Sequence, residues 1–134
     1  MRALLLTIAL VACGKGDGDK AGGTTGSGAA HDPAFDAVID AWKSAKLTPS
    51  TLTPASVGFG KDCQSGTIEG LDVLLCKYPS PAEAKSAEDP GYGWVGQATG
   101  ASQAHGTTLI VLADRRKVDP SGRTINRLMK LAPK

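Results

Sequence analysis

Cysteine offers the most varied chemistry of any residue type in this sequence, which contains three cysteines, Cys13, Cys63 and Cys76. A thiolate can act as a nucleophile, bind a metal or accept a covalent modification, and two thiols can pair as a disulfide. Cys13 directly follows an apolar run, whereas Cys63 and Cys76 lie on either side of a turn-like Glu69 and Gly70. These positions predict modification of the first cysteine and pairing of the other two.

The residues before Cys13 have the order of a secretory signal. Arg2 supplies a positive charge, an apolar run covers residues 3–10, and small residues lead into the cysteine. A transmembrane helix needs about 20 apolar residues, so this run is too short to span a bilayer. The segment resembles a bacterial lipoprotein signal peptide with its lipobox at Leu10–Cys13. A soluble secreted protein is the alternative, but Leu10 is too bulky for an ordinary signal peptidase site.

The lipoprotein resemblance implies a modified residue and a location. In that family signal peptidase II cuts before the cysteine, here between Ala12 and Cys13, and the Cys13 sulfur carries a diacylglyceryl group. The membrane is then a partner through this lipid, and the protein lies in the cell envelope. Because Gly14 and not Asp follows the cysteine, the enterobacterial family rule implies the outer membrane, facing the periplasm, if the host is Gram-negative.

The composition divides the remaining chain into a tether and a domain. Residues 14–30 are rich in Gly, Lys, Asp, Thr and Ser and contain no large apolar side chain, which is typical of a flexible linker. We therefore expect a signal peptide over 1–12, the lipidated cysteine and its tether over 13–30, and a single domain over 31–134.

A hairpin with a disulfide is the strongest structural prediction. A two-residue turn at Glu69 and Gly70 pairs Cys63 with Cys76 as a non-hydrogen-bonded pair, whose Cα atoms are about 4.5 Å apart and within disulfide range. An oxidising compartment agrees with this pairing. Glu-Gly is not the preferred dipeptide, however, and a type I turn with a bulge would shift the register by one residue.

Helical spacing and capping signals predict two helices in the first part of the domain. The first begins with Asp32 as its N-cap, and a capping box of Ser80 and Glu83 begins a short helix that stops near residues 89–91. Residues 47–54 form a connecting loop or an extended edge. The first helix carries an apolar stripe of Phe35, Val38, Ile39 and Trp42.

Two strands and a final helix are predicted towards the C-terminus. Residues 93–98 form one strand, and residues 107–113 form another, whose unbroken apolar run indicates a central strand covered on both faces. The final helix begins at Asp119 and Pro120. Its apolar stripe is Ile125, Leu128 and Met129.

These elements predict an α+β fold. We expect a small, mostly antiparallel sheet of about four strands, with helices packed on one face and one hairpin disulfide. The crossover from Tyr78 to Gly93 is long enough to join parallel strands, so the strand order stays open.

Two motifs that often carry chemistry lack the context that they need in this sequence. Gly91, Gly93 and Gly96 spell G-x-G-x-x-G, but a dinucleotide fingerprint must follow a strand and open a helix, and a helix precedes this one. His31 and His105 have no Cys, His or carboxylate at ligand spacing, so we expect exposed loop residues. The sequence therefore predicts no cofactor, no metal and no catalytic residue.

The formal net charge of +2 gives no reason to expect a nucleic acid as partner. The C-terminal end is nevertheless basic. One interpretation is that it covers an acidic remainder of the domain or forms a solvated face, and the other is that it contacts an anionic envelope surface. The basic residues concerned are Arg115, Arg116, Lys117, Arg123, Arg127, Lys130 and Lys134.

Two functional hypotheses follow from these residues. The first is a non-catalytic envelope module that binds another envelope protein, peptidoglycan or an anionic polymer through Tyr92, Trp94 or the basic end. The second is an enzyme or small-ligand binder that uses a loop over Gly91–Gly106, which would need a concave pocket with convergent polar groups.

Overall fold

The computed structural model describes residues 33–134, whose central feature is a five-stranded antiparallel sheet with helices against it. The fifth strand corrects the expected four, because the segment predicted as a loop or extended edge leads into a short edge strand. In chain order, after a 3₁₀ turn at Pro33–Phe35, the elements are α1 (Asp36–Ser44), β1 (Thr53–Val57), β2 (Gly60–Ile68), β3 (Leu71–Lys77), α2 (Pro81–Ser86), α3 (Glu88–Val95), β4 (Thr99–His105), β5 (Thr108–Asp114) and α4 (Arg123–Leu131).

The strand order is β1-β2-β3-β5-β4, and every neighbouring pair is antiparallel. The chain leaves β3 through α2 and α3, passes the position of β5 and enters the sheet again at β4. Strands β3 and β4 therefore run in the same direction but are separated by β5. This resolves the strand order that the sequence left open.

The hairpin register predicted from the cysteines is confirmed. Ile68 pairs with Leu71 and Cys63 pairs with Cys76, without a shift. The two turn residues, Glu69 and Gly70, have φ of 53° and 82°. Positive φ at both positions is what a type I′ turn requires, and its twist matches that of the strands. The structure thus uses the predicted turn in spite of its unfavoured glutamate.

The central strands are buried on both faces, so helices cover the sheet on both sides. Along β3, Val73 and Leu75 belong to one buried cluster, whereas Leu74 and Cys76 belong to another. Helices α1 and α4 contribute to the first cluster, and α3 contributes to the second together with Ala87, the residue that joins α2 to α3. The expectation of helices on one face was therefore wrong, but the prediction of a central strand over residues 107–113 is confirmed by β5.

Helices α1 and α4 pack side by side in the first layer. The Trp42 indole N–H donates a hydrogen bond to the Leu128 carbonyl at 2.9 Å, and this buried bond ties the two helices together. The apolar stripes predicted for both helices are confirmed as buried. Their members are Phe35, Val38, Ile39, Trp42, Ile125, Leu128 and Met129.

Helix α4 begins later than predicted, at Arg123, because Asp119 caps it from outside. One Asp119 carboxylate oxygen accepts the Ile125 backbone N–H at 3.0 Å. The Asp114 carboxylate accepts the N–H groups of Val118 and Asp119 at 2.8 and 2.7 Å. Both buried carboxylates are thus paired with backbone donors, which fixes the connection between β5 and α4.

The second layer differs most from the sequence prediction. Ser80 caps α2 as expected, since its hydroxyl oxygen accepts the Glu83 N–H at 3.2 Å. The strand predicted over residues 93–98 is wrong, because helix α3 continues to Val95. The predicted loop over residues 91–106 is accordingly helix α3 and strand β4 joined by a short turn.

The glycine motif belongs to the packing of α3 on β4. A Cβ atom at Gly91 would lie 2.1 Å from the Ser102 hydroxyl oxygen, so only glycine permits this approach. Gly96 follows the helix with φ of 70°, a conformation that glycine adopts without strain. Nothing lies within 4 Å of a Cβ placed at Gly93.

Both edges of the sheet carry features that hinder further strand pairing. On β1, Pro54 lacks an N–H group, and the register is irregular between Ala55 and Val57. On β4, the Ala104 N–H donates to the Glu88 carboxylate at 2.8 Å.

Candidate functional site

The cysteine pair is a buried structural disulfide. Cys63 and Cys76 are joined with their Cα atoms 4.1 Å apart, as the sequence predicted. The neighbouring Gly60 allows close packing, because a Cβ there would lie 2.8 Å from the Cys63 sulfur and 2.9 Å from the Tyr78 hydroxyl. Neither sulfur is therefore available as a nucleophile. Cys13 lies outside the described residues.

A cluster at one end of the sheet joins three of the predicted partner-binding residues. The Arg115 guanidinium lies over the Trp94 ring, 4.3 Å from its centroid, and donates to the Asp72 carboxylate at 2.8 Å. It also donates to the Trp94 carbonyl. Arg116 donates to the other Asp72 oxygen and to the Gly70 carbonyl, each at 2.9 Å. Two guanidiniums thus share one carboxylate.

The electrostatics of this cluster favour the ionised carboxylate. Burial by itself would raise the pKa of Asp72, but hydrogen bonds and charges from Arg115 and Arg116 outweigh it, so the pKa lies below its ordinary value. Because both arginines already have an anionic partner, they serve to hold β3, β5 and α3 together. Arg115 and Arg116 thus form ion pairs within the domain.

Tyr92 does not join this cluster. Its side chain is 51% exposed on α3, whereas Trp94 is half-buried and packs against the second buried cluster. The two aromatic residues that the sequence proposed for partner binding therefore lie in different surroundings.

The remaining predicted residues form an exposed basic stripe on α4. Arg123, Arg127 and Lys130 line one shallow, open depression of about 440 Å³ together with Asn126 and Leu131. None of the three cations forms an ion pair with any residue in 33–134. We call Arg123, Arg127 and Lys130 the basic face of α4.

His105 was predicted to be exposed in a loop, and this was wrong. It is the last residue of β4, it is only 8% exposed, and its Nε2 has no hydrogen-bond partner in the described part of the chain. Burial lowers its pKa, and the charge of Lys134 lowers it further, against a hydrogen bond to the Pro133 backbone and the charge of Glu88. The two-residue turn before the apolar run of β5 is the signal that could have placed His105 in a strand. His31 lies outside the described residues.

An open groove runs between the β4–β5 turn and α4. It measures about 410 Å³ and includes His105, Asn126, Lys130 and Lys134 in its lining. No group of three or more His, Cys, Asp or Glu side chains in residues 33–134 could hold a metal ion. The groove thus offers cationic and amide groups and no described carboxylate pair or nucleophile.

Asp72 was not predicted from the sequence, although one signal was available. It is the only charged residue between Leu71 and Cys76 of an apolar inner strand. A charge in such a strand needs a partner, which could have pointed to the basic end of the chain.

Comparison with known proteins gives no relative for this chain. No family model, no curated protein and no solved structure matches it. Within residues 33–134, no helix has the length and apolar character that a membrane span requires.

Proposed function

We propose that this chain is a lipid-anchored protein of the bacterial cell envelope, and that its folded domain is a non-catalytic binding or structural module. The observation that carries the proposal is the disulfide between Cys63 and Cys76. Disulfides form and persist in oxidising compartments outside the cytosol. This agrees with the address implied by the lipobox at Leu10–Cys13.

Several thiol and carboxylate groups form bonds within the fold, which supports a non-catalytic domain. Cys63 and Cys76 are bonded to each other, and Asp72 is shared by two arginines. The carboxylates of Asp114 and Asp119 accept backbone N–H groups. Each of these groups performs a structural task, which leaves the exposed surface as the part of the domain suited to recognition.

The surface available for a partner is narrower than the sequence indicated. Arg115 and Arg116 are paired inside the domain, so the basic face of α4 and the exposed Tyr92 remain as partner-binding candidates. Charged residues dominate this remaining surface, which favours an anionic partner in the envelope over an apolar one.

The lipid anchor is tested by replacing the residue that would carry it. We expect Cys13→Ser to leave an uncleaved precursor and to abolish incorporation of radioactive palmitate in cells, because serine lacks the sulfur that accepts the diacylglyceryl group. Mass spectrometry of the N-terminus checks the cleavage. In a Gram-negative host, the wild-type protein should fractionate with the outer membrane.

The matched control removes the other two cysteines. The double variant Cys63→Ala, Cys76→Ala should keep its palmitate label, since these sulfurs are bonded to each other. Normal processing and labelling of Cys13→Ser would contradict the proposed anchor.

A further inference from the structure

The two helical layers carry opposite charge. In the layer of α1 and α4, the two aspartates and one lysine of α1 are outweighed by the three cations of α4. The layer of α2 and α3 contains three acidic residues and one lysine. The charged residues of the first layer are Asp36, Asp40, Lys43, Arg123, Arg127 and Lys130, and those of the second are Glu83, Lys85, Glu88 and Asp89.

The basic face of α4 is suited to contact a charged surface without inserting apolar side chains into it. Its three cations are exposed, and the apolar residues Ile125, Leu128 and Met129 point into the core. The large hydrophobic residues that are exposed within 33–134, Tyr92 and Val118, lie outside α4. A surface of this kind binds by charge, and its binding must weaken as salt increases.

The chain enters the domain in the same layer. The described chain begins at Pro33–Phe35, and Phe35 packs in the buried cluster that contains Leu128. Residues 13–32, which precede it, link this layer to the proposed lipid on Cys13. A Gly-rich sequence of this length has a root-mean-square reach of about 25 Å. The basic layer is thus the layer to which the segment from the anchor is joined.

We propose that the basic face of α4 docks on the anionic lipid surface in which the protein is anchored, so that the α1–α4 layer faces the bilayer and the α2–α3 layer faces away. This inference rests on the proposed lipid anchor. Each cation near an anionic membrane strengthens binding about fivefold, so three contribute about 100-fold. The tether makes docking intramolecular, so a contact too weak to hold a free domain is sufficient here.

The test uses the mature, lipidated protein in nanodiscs that contain a paramagnetic headgroup chelate. Nanodiscs of phosphatidylcholine alone are compared with nanodiscs that also contain phosphatidylglycerol. In the anionic discs we expect the amide NMR signals of α4 to broaden more than those of α2 and α3, and the difference should disappear at high salt. Equal broadening of both layers would overturn the docking.

Charge-matched variants separate the effect of the basic face of α4 from the effect of net charge. The triple variant Arg123→Gln, Arg127→Gln, Lys130→Gln should lower the ratio of docked to undocked protein about 100-fold. The control Lys46→Gln, Lys61→Gln, Lys85→Gln removes the same charge from exposed sites outside α4 and outside the basic C-terminal end, and should dock like the wild type. A thermal melt of each variant checks that it is folded. Equal loss in both triple variants would contradict a role specific to α4.

The possible outcomes distinguish failure of the proposed lipid anchor from failure of the proposed docking. Wild-type protein without lipid on Cys13 would refute the proposed function and the docking together. Protein that is lipidated but shows no preference of α4 for anionic discs would refute the docking alone. A third outcome is that the wild type does not dock on lipid but binds isolated peptidoglycan, and that the α4 triple variant does not bind it. This result would refute docking on the membrane and would identify the cell wall as the partner.

Discussion

Asp72 shows how a single carboxylate organises one end of the domain. It accepts one hydrogen bond from Arg115 and another from Arg116, and Arg115 extends the contact to the Trp94 ring. A carboxylate held by two guanidiniums is more stable in its ionised form, which is why its pKa falls in spite of partial burial. The cluster therefore contributes to stability as well as to local geometry.

We expect Asp72→Asn to destabilise the domain by about 1–2 kcal/mol at neutral pH, because hydrogen bonds between charged groups are replaced by weaker ones. The folded pKa of Asp72 is lowered, so its contribution is complete above the unfolded pKa and is lost as pH falls through the folded value. The difference between wild type and variant should thus shrink below about pH 4. Urea unfolding at several pH values measures this.

The exposed Asp62 provides a matched control for this experiment. Asp62→Asn should change the free energy of unfolding by less than about 0.5 kcal/mol. A loss in Asp72→Asn that stays constant down to low pH would show that shape, and not charge, is what the position requires.

At this scale the sequence marked Arg115 and Arg116 as candidate residues but did not indicate their partner, Asp72. Arg115 and Asp72 are 43 positions apart, and no local pattern connects them. Both interpretations of the basic end were therefore open, and the structure separates its residues into two groups. Arg115 and Arg116 pair within the domain, whereas the basic face of α4 stays exposed.

Among the elements, the hairpin was predictable and α3 was not. The two cysteines, equally spaced on either side of a two-residue turn, indicated one register over β2 and β3, although the Glu-Gly dipeptide left a shift by one residue open. Helix α3 contains Pro90, Gly91 and Gly93, whose intrinsic preferences favour a loop. Tertiary packing overrides these preferences, because Gly91 lets the helix approach Ser102 on β4.

The two glycines inside α3 should respond to alanine in opposite directions. Gly91→Ala should destabilise the domain by about 1–3 kcal/mol, since its methyl group would overlap Ser102. Gly93→Ala should stabilise it by about 0.5–1 kcal/mol, because the site is exposed and alanine favours the helix. Chemical denaturation of both variants checks this. Similar effects at both positions would contradict the close packing of α3 on β4.

For the whole molecule, the α+β class and the disulfide were predicted correctly, while the number of strands and of helical layers was not. Strand β1 reads TPASV, whose strand formers Thr53 and Val57 are separated by a proline and two small residues, so its sequence gives little strand signal. The second helical layer was missed with α3. An inner strand such as β5, apolar on both faces, was nevertheless direct evidence that the sheet is covered on both sides.

The disulfide should supply a large part of the stability of the domain. Replacing both Cys63 and Cys76 by Ala should lower the free energy of unfolding by about 2–4 kcal/mol, out of the roughly 5–15 kcal/mol typical of native proteins. Reducing the wild-type protein should give a similar loss in thermal melts. Two free thiols, found by mass mapping of protein taken from the envelope, would contradict the pairing.

The features that hinder strand pairing at the two sheet edges matter for a protein anchored to a membrane. A lipid anchor would confine copies of this domain to two dimensions, where they collide often and in similar orientations. Open strand edges would then seed polymers. Here Pro54 interrupts one edge, and the Glu88 carboxylate occupies the Ala104 N–H on the other. Both edges of the sheet thus hinder pairing with a neighbouring copy, which opposes growth of a fibre when the domains are crowded.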